Sequence, residues 1–291
     1  MTFSVIVPTY NRVASLRATL ESLFRQEFLD YEIIVVNDGS TDGTDVYLSS
    51  LAKEKKIIYL KHSNQGLAAT RSAGLLAAQG EYIAYTDDDC VVPANWLRML
   101  HQAFGQENVA GIGGDTMTGD VTNPYAEAND MINNYFKKKL NADKGRVPYF
   151  TGNNMAFKRS SLMSVGGPDK RFRMGAEDRD LIHRLYHAGE PLLYLGSLVI
   201  NHYNDATLWG FIRHQYDQGK GSYLFYRTHK KTGKTPQPIP PKVYLGLLAH
   251  PFATRSLSRA LVLFVLVIIA QAAVLFGFIT AAFSRQQLSR E

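Results

Sequence analysis

Short apolar runs alternate with helix-like segments in the first part of the chain, and this alternation constrains the fold more than any other feature. The strand-like runs are Ser4–Val7, Glu32–Val36, Ile57–Leu60, Tyr82–Tyr85 and Val109–Ile112. Helix-like segments, marked by helical spacing of apolar residues or by small residues, lie at 16–24, 67–78 and 95–104. Strands that alternate with helices form a parallel sheet covered by helices. We therefore predict an α/β fold with a mostly parallel sheet.

Three polar clusters follow the predicted strands at the points where those strands end. They are Thr9–Arg12, Asp38–Asp42 and Asp87–Asp89. Open α/β sheets bind their ligands at the carboxyl ends of the strands. The sequence therefore predicts a ligand site at this edge of the sheet.

The acidic cluster consists of three adjacent carboxylates, Asp87, Asp88 and Asp89. Such groups repel one another unless a cation or water screens them. Mg²⁺ and Mn²⁺ prefer oxygen ligands and are often held by one or two carboxylates together with a substrate diphosphate. A solvated acidic turn is the alternative, and the strand-end position favours a metal. Asp38 has a similar alternative, because Asn, Asp, Gly and Ser form turns for local reasons.

Four further polar residues have two interpretations each. Apolar spacing predicts a helix from about residue 178, so Glu177 and Asp178 either cap it or provide a general base beside a cleft. Arg71 either meets a diphosphate or is a solvated helix position. His202 follows the apolar run Leu192–Ile200, and a lone His is more often packed or exposed than a metal ligand, although its imidazole suits Mn²⁺.

The C-terminal part contains an uncharged run, Ala260–Phe283, in which only Gln271 and Thr280 interrupt the apolar residues. As a helix it would be about 36 Å long at ~1.5 Å per residue, which is enough to cross a hydrocarbon layer of ~30 Å. A buried core helix is the alternative, but such a helix normally shows a polar stripe. We therefore predict a transmembrane helix over 257–284.

The distribution of charge excludes one class of partner. The net charge is +6, yet the chain from Phe211 onward has 11 Lys and Arg against 2 Asp and Glu, which is +9, while residues 1–210 have −3. A nucleic-acid-binding domain needs a basic face, so we expect no nucleic-acid partner. A single Cys rules out an internal disulfide and a Cys-based zinc site.

The basic residues also predict an orientation in the membrane. Lys242, Arg255 and Arg259 precede the apolar run, and Arg285 and Arg290 follow it. The positive-inside rule then places the N-terminal part in the cytoplasm, with one crossing of the cell membrane. Basic residues near the bilayer are expected to contact anionic headgroups.

Taken together, the motifs resemble the family 2 glycosyltransferases of the Rossmann-like GT-A fold over about residues 2–205. The matching motifs are VIVPTYNR at 5–12, VNDGSTDGT at 36–44, NQG at 64–66 with Arg71, GEYIA at 80–84 before Asp87–Asp89, and the glycines at 166–167 before Glu177–Asp178. Pro168 departs from the aromatic that the family often has after this glycine pair.

The resemblance implies roles for these residues. The nucleotide sugar would be bound by Pro8, Thr9, Tyr10, Arg12, Asp38, Arg71, Asp87 and Asp88. Mn²⁺ or Mg²⁺ would be bound by Asp89, our first choice for direct contact, with Asp87 and His202. Asp178 would be the catalytic base, with Glu177 beside it, in a single inverting displacement from a donor that is expected to be UDP-linked.

The resemblance also implies a division of the chain. We predict a catalytic domain at 1–210, with a donor half at 1–114 and an acceptor half at 115–210, and selectivity set in 115–160, including Asn153 and Asn154. A basic, aromatic juxtamembrane segment at 211–256, the span and a short tail at 285–291 follow.

The predicted reaction transfers one sugar, or a few, to a glycan or lipid-linked acceptor at the bilayer, because the Gln-x-x-Arg-Trp motif of processive synthases is absent. Two alternatives stay open: a sugar-nucleotide pyrophosphorylase, and a non-catalytic, membrane-anchored protein that binds nucleotide sugars. The first would need a Gly-rich opening loop, and the second is typically marked by loss of an acidic pair.

Overall fold

The computed structural model describes residues 1–143, 146–173, 175–204 and 206–288, with side chains up to residue 284. The strands are β1 (Phe3–Thr9), β2 (Tyr31–Asn37), β3 (Ile58–Lys61), β4 (Tyr82–Tyr85), β5 (Cys90–Val91), β6 (Gly111–Thr118), β7 (Met155–Lys158) and β8 (Leu192–His202). The helices are α1 (Val13–Phe24), α2 (Thr44–Lys53), α3 (Leu67–Ala77), α4 (Trp96–Gln106), α5 (Pro124–Asn141), α6 (Arg159–Ser164), α7 (Glu177–His187), α8 (Leu208–Lys231), α9 (Pro241–Thr254) and α10 (Leu257–Leu288).

The first of two compact units, unit 1, comprises Met1–Met117, Pro148–Arg173 and Glu177–Tyr203. Its sheet has the order β3-β2-β1-β4-β7-β6-β8-β5. The pairs β2–β3, β1–β2 and β1–β4 are parallel, whereas β4–β7, β6–β7 and β5–β8 are antiparallel. The α/β prediction is confirmed, and the sheet is more mixed than expected. A parallel neighbour needs a crossover that packs on the sheet, and α5, which connects β6 to β7, belongs to the other unit.

Two sequence features in the less regular half have structural roles in unit 1. A Cβ on Gly113 of β6 would overlap the Phe150 ring, so the glycine-rich run at 111–114 makes room for aromatic packing. Asn154 is fully buried: its Oδ1 accepts a hydrogen bond from Trp96 Nε1 at 3.0 Å, and its Nδ2 donates to the Leu198 carbonyl at 2.9 Å. Asn154 therefore holds the core together and is closed to substrate, contrary to the expectation that it sets selectivity.

Unit 2 comprises Thr118–Val147, Met174–Ala176 and Asn204–Glu291, and its helices are α5, α8, α9 and α10. Buried Glu127 of α5 accepts hydrogen bonds from Arg255 Nε and Arg259 Nε, both at 2.6 Å. These two arginines were expected to contact lipid headgroups, but a carboxylate of their own unit pairs with both of them.

The two units do not follow the order of the sequence. The predicted acceptor half, 115–210, contributes α5 to unit 2 and β7, α6, α7 and β8 to unit 1. The functional boundaries at 114 and 210 stay predictions. The predicted tail, 285–291, lies outside the residues whose side chains are described.

Candidate active site

The candidate site lies in unit 1, at the carboxyl ends of three neighbouring parallel strands. The register pairs Thr9, the last residue of β1, with Asn37, the last residue of β2. β4 ends at Tyr85 and leads through Thr86 into the acidic cluster. Buried apolar strands thus end together, and the polar loops predicted from the sequence follow them at one edge of the sheet.

The loops after β1 and β2 are tied to each other. Asn11 has a left-handed backbone with φ 53°, its N–H donates to Ser40 Oγ at 2.9 Å, and its Oδ1 accepts from the Thr41 N–H at 2.7 Å. Asp42 accepts from the Val13 N–H at 3.0 Å and so caps α1 from a different loop. Sequence reasoning gave Asn11, Ser40 and Asp42 no separate role, because their partners lie about 30 residues away.

Asp38, the residue expected at the nucleotide base, is only 5% exposed. Its two carboxylate oxygens accept hydrogen bonds from the backbone N–H groups of Gln65 at 2.7 Å and Gly66 at 2.9 Å. His62 Nδ1 lies 3.1 Å from the same carboxylate. Asp38 therefore fixes the loop before α3, and the local-turn interpretation explains only part of its surroundings.

Two of the predicted nucleotide-binding residues on the first loop differ in exposure. Pro8 is buried within β1 and pairs in register with Val36. Tyr10 is 46% exposed, so its ring is available to a planar ligand. Pro8 therefore holds the start of the loop within the sheet, and the exposed ring of Tyr10 is the part that a ligand can contact.

A first cluster of charges joins Arg12 to the acidic loop. Arg12 Nη1 lies 2.6 Å from Asp89 Oδ2 and 3.3 Å from Asp88 Oδ1, and Thr9 Oγ1 donates to Asp88 Oδ2 at 2.7 Å. Burial raises the pKa of Asp88 to about 7, against the attraction of Arg12. Burial acts in the same direction on Asp89, but the hydrogen bond and charge of His202, with Arg12, lower its pKa. The pKa values of these two neighbouring carboxylates are thus shifted in opposite directions, and the lowered pKa favours the ionised form of Asp89.

Asp89 also belongs to a group of convergent donor atoms. His202 Nε2 lies 3.3 Å from Asp89 Oδ1, Cys90 Sγ lies 3.7 Å from the same oxygen, and the three donors are all within 4.8 Å of one another. Cys90 and His202 face each other across the antiparallel β5–β8 pair. An oxygen, an imidazole nitrogen and a sulfur donor fit a divalent transition metal. Sequence reasoning found Asp89 and His202 but excluded cysteine from any zinc site, and only strand pairing reveals Cys90.

A second cluster joins the acidic loop to α7. Arg71 is 1% exposed; its Nη2 lies 2.7 Å from Asp87 Oδ1 and its Nη1 lies 2.7 Å from Glu177 Oε1. Burial, then the charge of Asp178, raises the pKa of Glu177 above its ordinary range despite Arg71. The solvated alternative for Arg71 is excluded. Both of its Nη atoms contact carboxylates, so Arg71 connects the predicted metal loop with the predicted catalytic pair.

Asp178 is held by two backbone groups. Its Oδ2 accepts from the Gly152 N–H at 3.0 Å, and its Oδ1 accepts from the Arg179 N–H at 2.7 Å. A Cβ on Gly152 would overlap the guanidinium of Arg71, so this position supports both the carboxylate and the arginine. Ala176, immediately before the pair, has φ 65°, a backbone conformation that is strained for a residue with a side chain.

The structure thus brings the predicted residues into two connected clusters in unit 1. Thr9, Arg12, Asp88, Asp89 and His202 form one, and Arg71, Asp87, Glu177 and Asp178 form the other, with Gly152 and Cys90 added by the fold. Asp87 is the most exposed of the three aspartates, with 28% of its side chain accessible. Such an arrangement can bind a cation at one end and remove a proton at the other.

Comparisons with known proteins place the chain among sugar-transferring enzymes. The family model described as Glycosyl transferase family 2 matches residues 4–166. The chain is 31% identical over 169 residues to the putative glycosyltransferase EpsH of Bacillus subtilis, covering 55% of this chain and 47% of that protein. It is 28% identical over 221 residues to chondroitin synthase of Escherichia coli, covering 64% and 32%. The chain therefore spans less than half the length of both relatives.

Two solved structures share the fold. Mannosyltransferase PcManGT of Pyrobaculum calidifontis, in complex with GDP-Man and Mn²⁺, has a TM-score of 0.64 at 20% identity and covers 99% of this chain and 88% of its own. S. aureus TarS 1–349, in complex with UDP, has a TM-score of 0.58 at 18% identity, with coverages of 99% and 92%. This likeness supports the GT-A fold.

Proposed function

This chain belongs to glycosyl transferase family 2, and we propose that it moves one sugar, or a few, from a nucleoside-diphosphate sugar to a hydroxyl of a glycan or lipid-linked acceptor. The observation that carries the proposal is Arg71, which joins Asp87 of the acidic loop to Glu177 of the predicted catalytic pair. Two enzymes that share the fold were solved with GDP-Man and with UDP, which supports this class of donor. UDP is our choice of nucleotide by resemblance.

We assign removal of the acceptor proton to Asp178. Two backbone N–H groups orient its carboxylate, and a carboxylate oxygen keeps a lone pair free beyond each such bond. In the proposed step the acceptor oxygen forms a bond to the anomeric carbon as Asp178 takes its proton and the bond to the nucleoside diphosphate breaks. One displacement of this kind inverts the anomeric configuration. Glu177 positions the pair through Arg71.

The donor end of the proposed site consists of the loops after β1, β2 and β4. Exposed Tyr10 lies beside the nucleotide, and Asp38 holds the backbone of the loop around it. A divalent cation, Mn²⁺ or Mg²⁺, held by Asp89, Asp87 and His202, would neutralise charge on the departing nucleoside diphosphate. Arg12 contacts the same aspartates and offers positive charge to the diphosphate.

We further propose that the enzyme acts at a membrane and that α10 attaches it there. The segment Leu257–Ser284 is long and apolar enough to cross a bilayer. The sequence predicts a single crossing with the catalytic part on the cytoplasmic side.

Thermal unfolding with Mn²⁺ and a panel of UDP- and GDP-sugars tests the donor site. A ligand at ~100 times its dissociation constant adds about 2.7 kcal/mol to the free energy of unfolding, so one nucleotide class should raise the melting temperature by several degrees in the presence of Mn²⁺. Asp89→Asn is the matched variant that should lose this response. A flat panel would overturn the proposal, and release of pyrophosphate from UTP and a sugar phosphate would favour the pyrophosphorylase alternative.

A further inference from the structure

The helix α10 has two different faces within unit 2. One face is packed and includes Ala260, Leu263, Val267 and Ala270, each 0% exposed. The opposite face consists of large apolar side chains that are 40% to 64% exposed, at Leu261, Val265, Ile268, Leu275, Ile279 and Phe283. Their spacings of three, four or seven residues place them on one side of the helix, with Val262 and Phe276, 45% and 62% exposed, at its edge. Both faces of the helix are apolar: one packs against other helices of unit 2, and the other is exposed.

In its C-terminal half α10 is packed against α8 with the two backbones in contact. A Cβ on Gly219 of α8 would overlap the Val274 carbonyl oxygen, and a Cβ on Gly277 would overlap that of Tyr216. The Tyr216 hydroxyl and Thr280 Oγ1 lie 3.0 Å apart and share a hydrogen bond. Glycines permit this close approach of two helices. Wherever this part of α10 lies, α8 lies beside it.

The composition of α8 is incompatible with a hydrocarbon layer. Lys220 Nζ forms an ion pair with Asp217 Oδ1 at 2.6 Å, and these two residues directly follow the contact residues Gly219 and Tyr216 in the sequence. Arg213 and Arg227 lie on the same helix. If 257–284 crossed a bilayer, its length of about 42 Å would exceed the hydrocarbon layer of ~30 Å by about 6 Å at each end. Gly277 lies about 10 Å of helix from Ser284, so it and the neighbouring 216–220 segment of α8, with Asp217 and Lys220, would lie just inside the hydrocarbon. Charged side chains are strongly disfavoured there.

We propose that α10 lies lengthwise in the membrane interface, with the stripe from Leu261 to Phe283 among the acyl chains and α8 on its cytoplasmic side, rather than crossing the bilayer. The partner is a bilayer with anionic headgroups, because residues 211–291 have a net charge of +9 and only Asp217 and Glu291 are acidic. α10 itself is apolar, but together with α8 it has an apolar stripe on one side and the charged residues of α8 on the other, the two-faced arrangement with which amphipathic elements bind in the membrane interface. The inference rests on the membrane attachment proposed above and replaces the predicted crossing.

Site-directed labelling separates the two geometries. Ser258 and Ser284 are exposed at either end of the apolar segment, and the native Cys90 is buried, so the unmodified chain is the control for background labelling. Full-length Ser258→Cys and Ser284→Cys are treated with a membrane-impermeant maleimide in sealed vesicles of one orientation. We expect both positions to label from the same side. Labelling from opposite sides would overturn the inference.

Depth measurements give a second, independent test. Spin labels at Leu261→Cys, Ile268→Cys and Leu275→Cys, in vesicles of 70:30 phosphatidylcholine and phosphatidylglycerol, should report equal depths from collisions with oxygen and a nickel chelate. Val46→Cys, at an exposed position of unit 1, is the water-exposed reference. A depth maximum at Ile268→Cys means that the helix crosses, and labels shielded from lipid in a cross-linked dimer mean that a second copy covers the stripe; either result overturns the inference.

Failure of this inference is distinguishable from failure of the proposed function. The labelling and depth results do not depend on transfer, which is measured with the full-length protein in detergent. Loss of vesicle binding together with intact donor-dependent stabilisation would remove the membrane attachment and this inference while leaving the glycosyl transfer in place.

Discussion

Both compact units bury charge, but they balance it in opposite ways. In unit 1, two arginines, Arg12 and Arg71, contact the carboxylates of four residues: Asp87, Asp88, Asp89 and Glu177. In unit 2, a single buried carboxylate, that of Glu127, pairs with both Arg255 and Arg259. A surplus of buried carboxylates is unfavourable until a proton or a cation arrives. The unit 1 cluster therefore has carboxylates in excess and can bind a cation, whereas the carboxylate in unit 2 already has cationic partners.

The largest effect is expected at the carboxylate that we assign to chemistry. Asp178→Asn preserves shape and should lower kcat by about 10²–10⁴-fold, because a general base contributes that much. Donor and Mn²⁺ affinity, measured by titration calorimetry, should stay within a factor of about two to three, since the hydrogen bonds that orient Asp178 come from backbone N–H groups. Asp120→Asn, an exposed carboxylate of unit 2, is the control. Turnover close to wild type in Asp178→Asn would refute the assignment.

Removing the cation from the carboxylate-rich unit should cost the most stability. Arg71→Met leaves Asp87 and Glu177 facing each other without a partner, and breaking a buried pair in this way costs about 3–5 kcal/mol of unfolding free energy. Urea unfolding measures the loss. Arg25→Met removes an exposed pair with Glu21 and should change stability by less than about 1 kcal/mol. Equal losses of unfolding free energy in the two variants would mean that Arg71 does not stabilise the cluster through Asp87 and Glu177.

The pH dependence of stability should reveal the surplus carboxylates directly. Burial raises the pKa of Asp88 to about 7 and raises that of Glu177 as well, whereas in the unfolded chain both ionise near pH 4. Between pH 5 and 7 the folded state therefore holds protons that the unfolded state has released, and stability falls as the pH rises. Asp89, with its lowered pKa, acts only below this window.

Urea unfolding of the metal-free protein should show a loss of about 4 kcal/mol from pH 5 to pH 7, about 2 kcal/mol for each of the two groups, since one proton corresponds to about 1.4 kcal/mol per pH unit at most. Asp88→Asn should reduce the slope by about half, because the amide does not titrate and Glu177 still does. A wild-type stability that rises with pH over this range would contradict the balance of charges described for unit 1.

The smallest effect is expected in unit 2. Glu127→Gln removes the charge that faces Arg255 and Arg259, whose side chains are 42% and 28% exposed and so can be solvated. We expect a loss of about 1–2 kcal/mol, which is less than the ~1.5–3 kcal/mol of a hydrogen bond to a charged group because the amide oxygen of Gln still accepts one bond, and unchanged kcat in detergent. Glu107→Gln, at an exposed position of unit 1, should be neutral. A large fall in kcat would show that unit 2 contributes to the reaction beyond packing.

Part of the fold and of the site follows from local sequence. The runs that became β1, β2 and β4 are apolar and short, and each has a Thr or Asp within two residues of its end, so both the parallel sheet and the loops at its edge were predictable. The antiparallel β7 and the assignment of α5 to unit 2 were not, because they depend on connections of more than 30 residues. Cys90 and Gly152 were also missed, since each acts through a partner that the chain brings from far away.

The sequence by itself determined the kind of chemistry available: clustered carboxylates at strand ends, a carboxylate pair at a helix start, and a long apolar helix near the C-terminus. These properties follow from residue types and from the spacing of apolar residues over two to four positions, both of which can be read from a short stretch of sequence. Only the tertiary structure decided which arginine neutralises which carboxylate, that Asp88 and Asp89 differ in pKa, and which face of α10 protein covers. Those outcomes depend on burial and on contacts between distant segments, and neither is written in any local stretch of the chain.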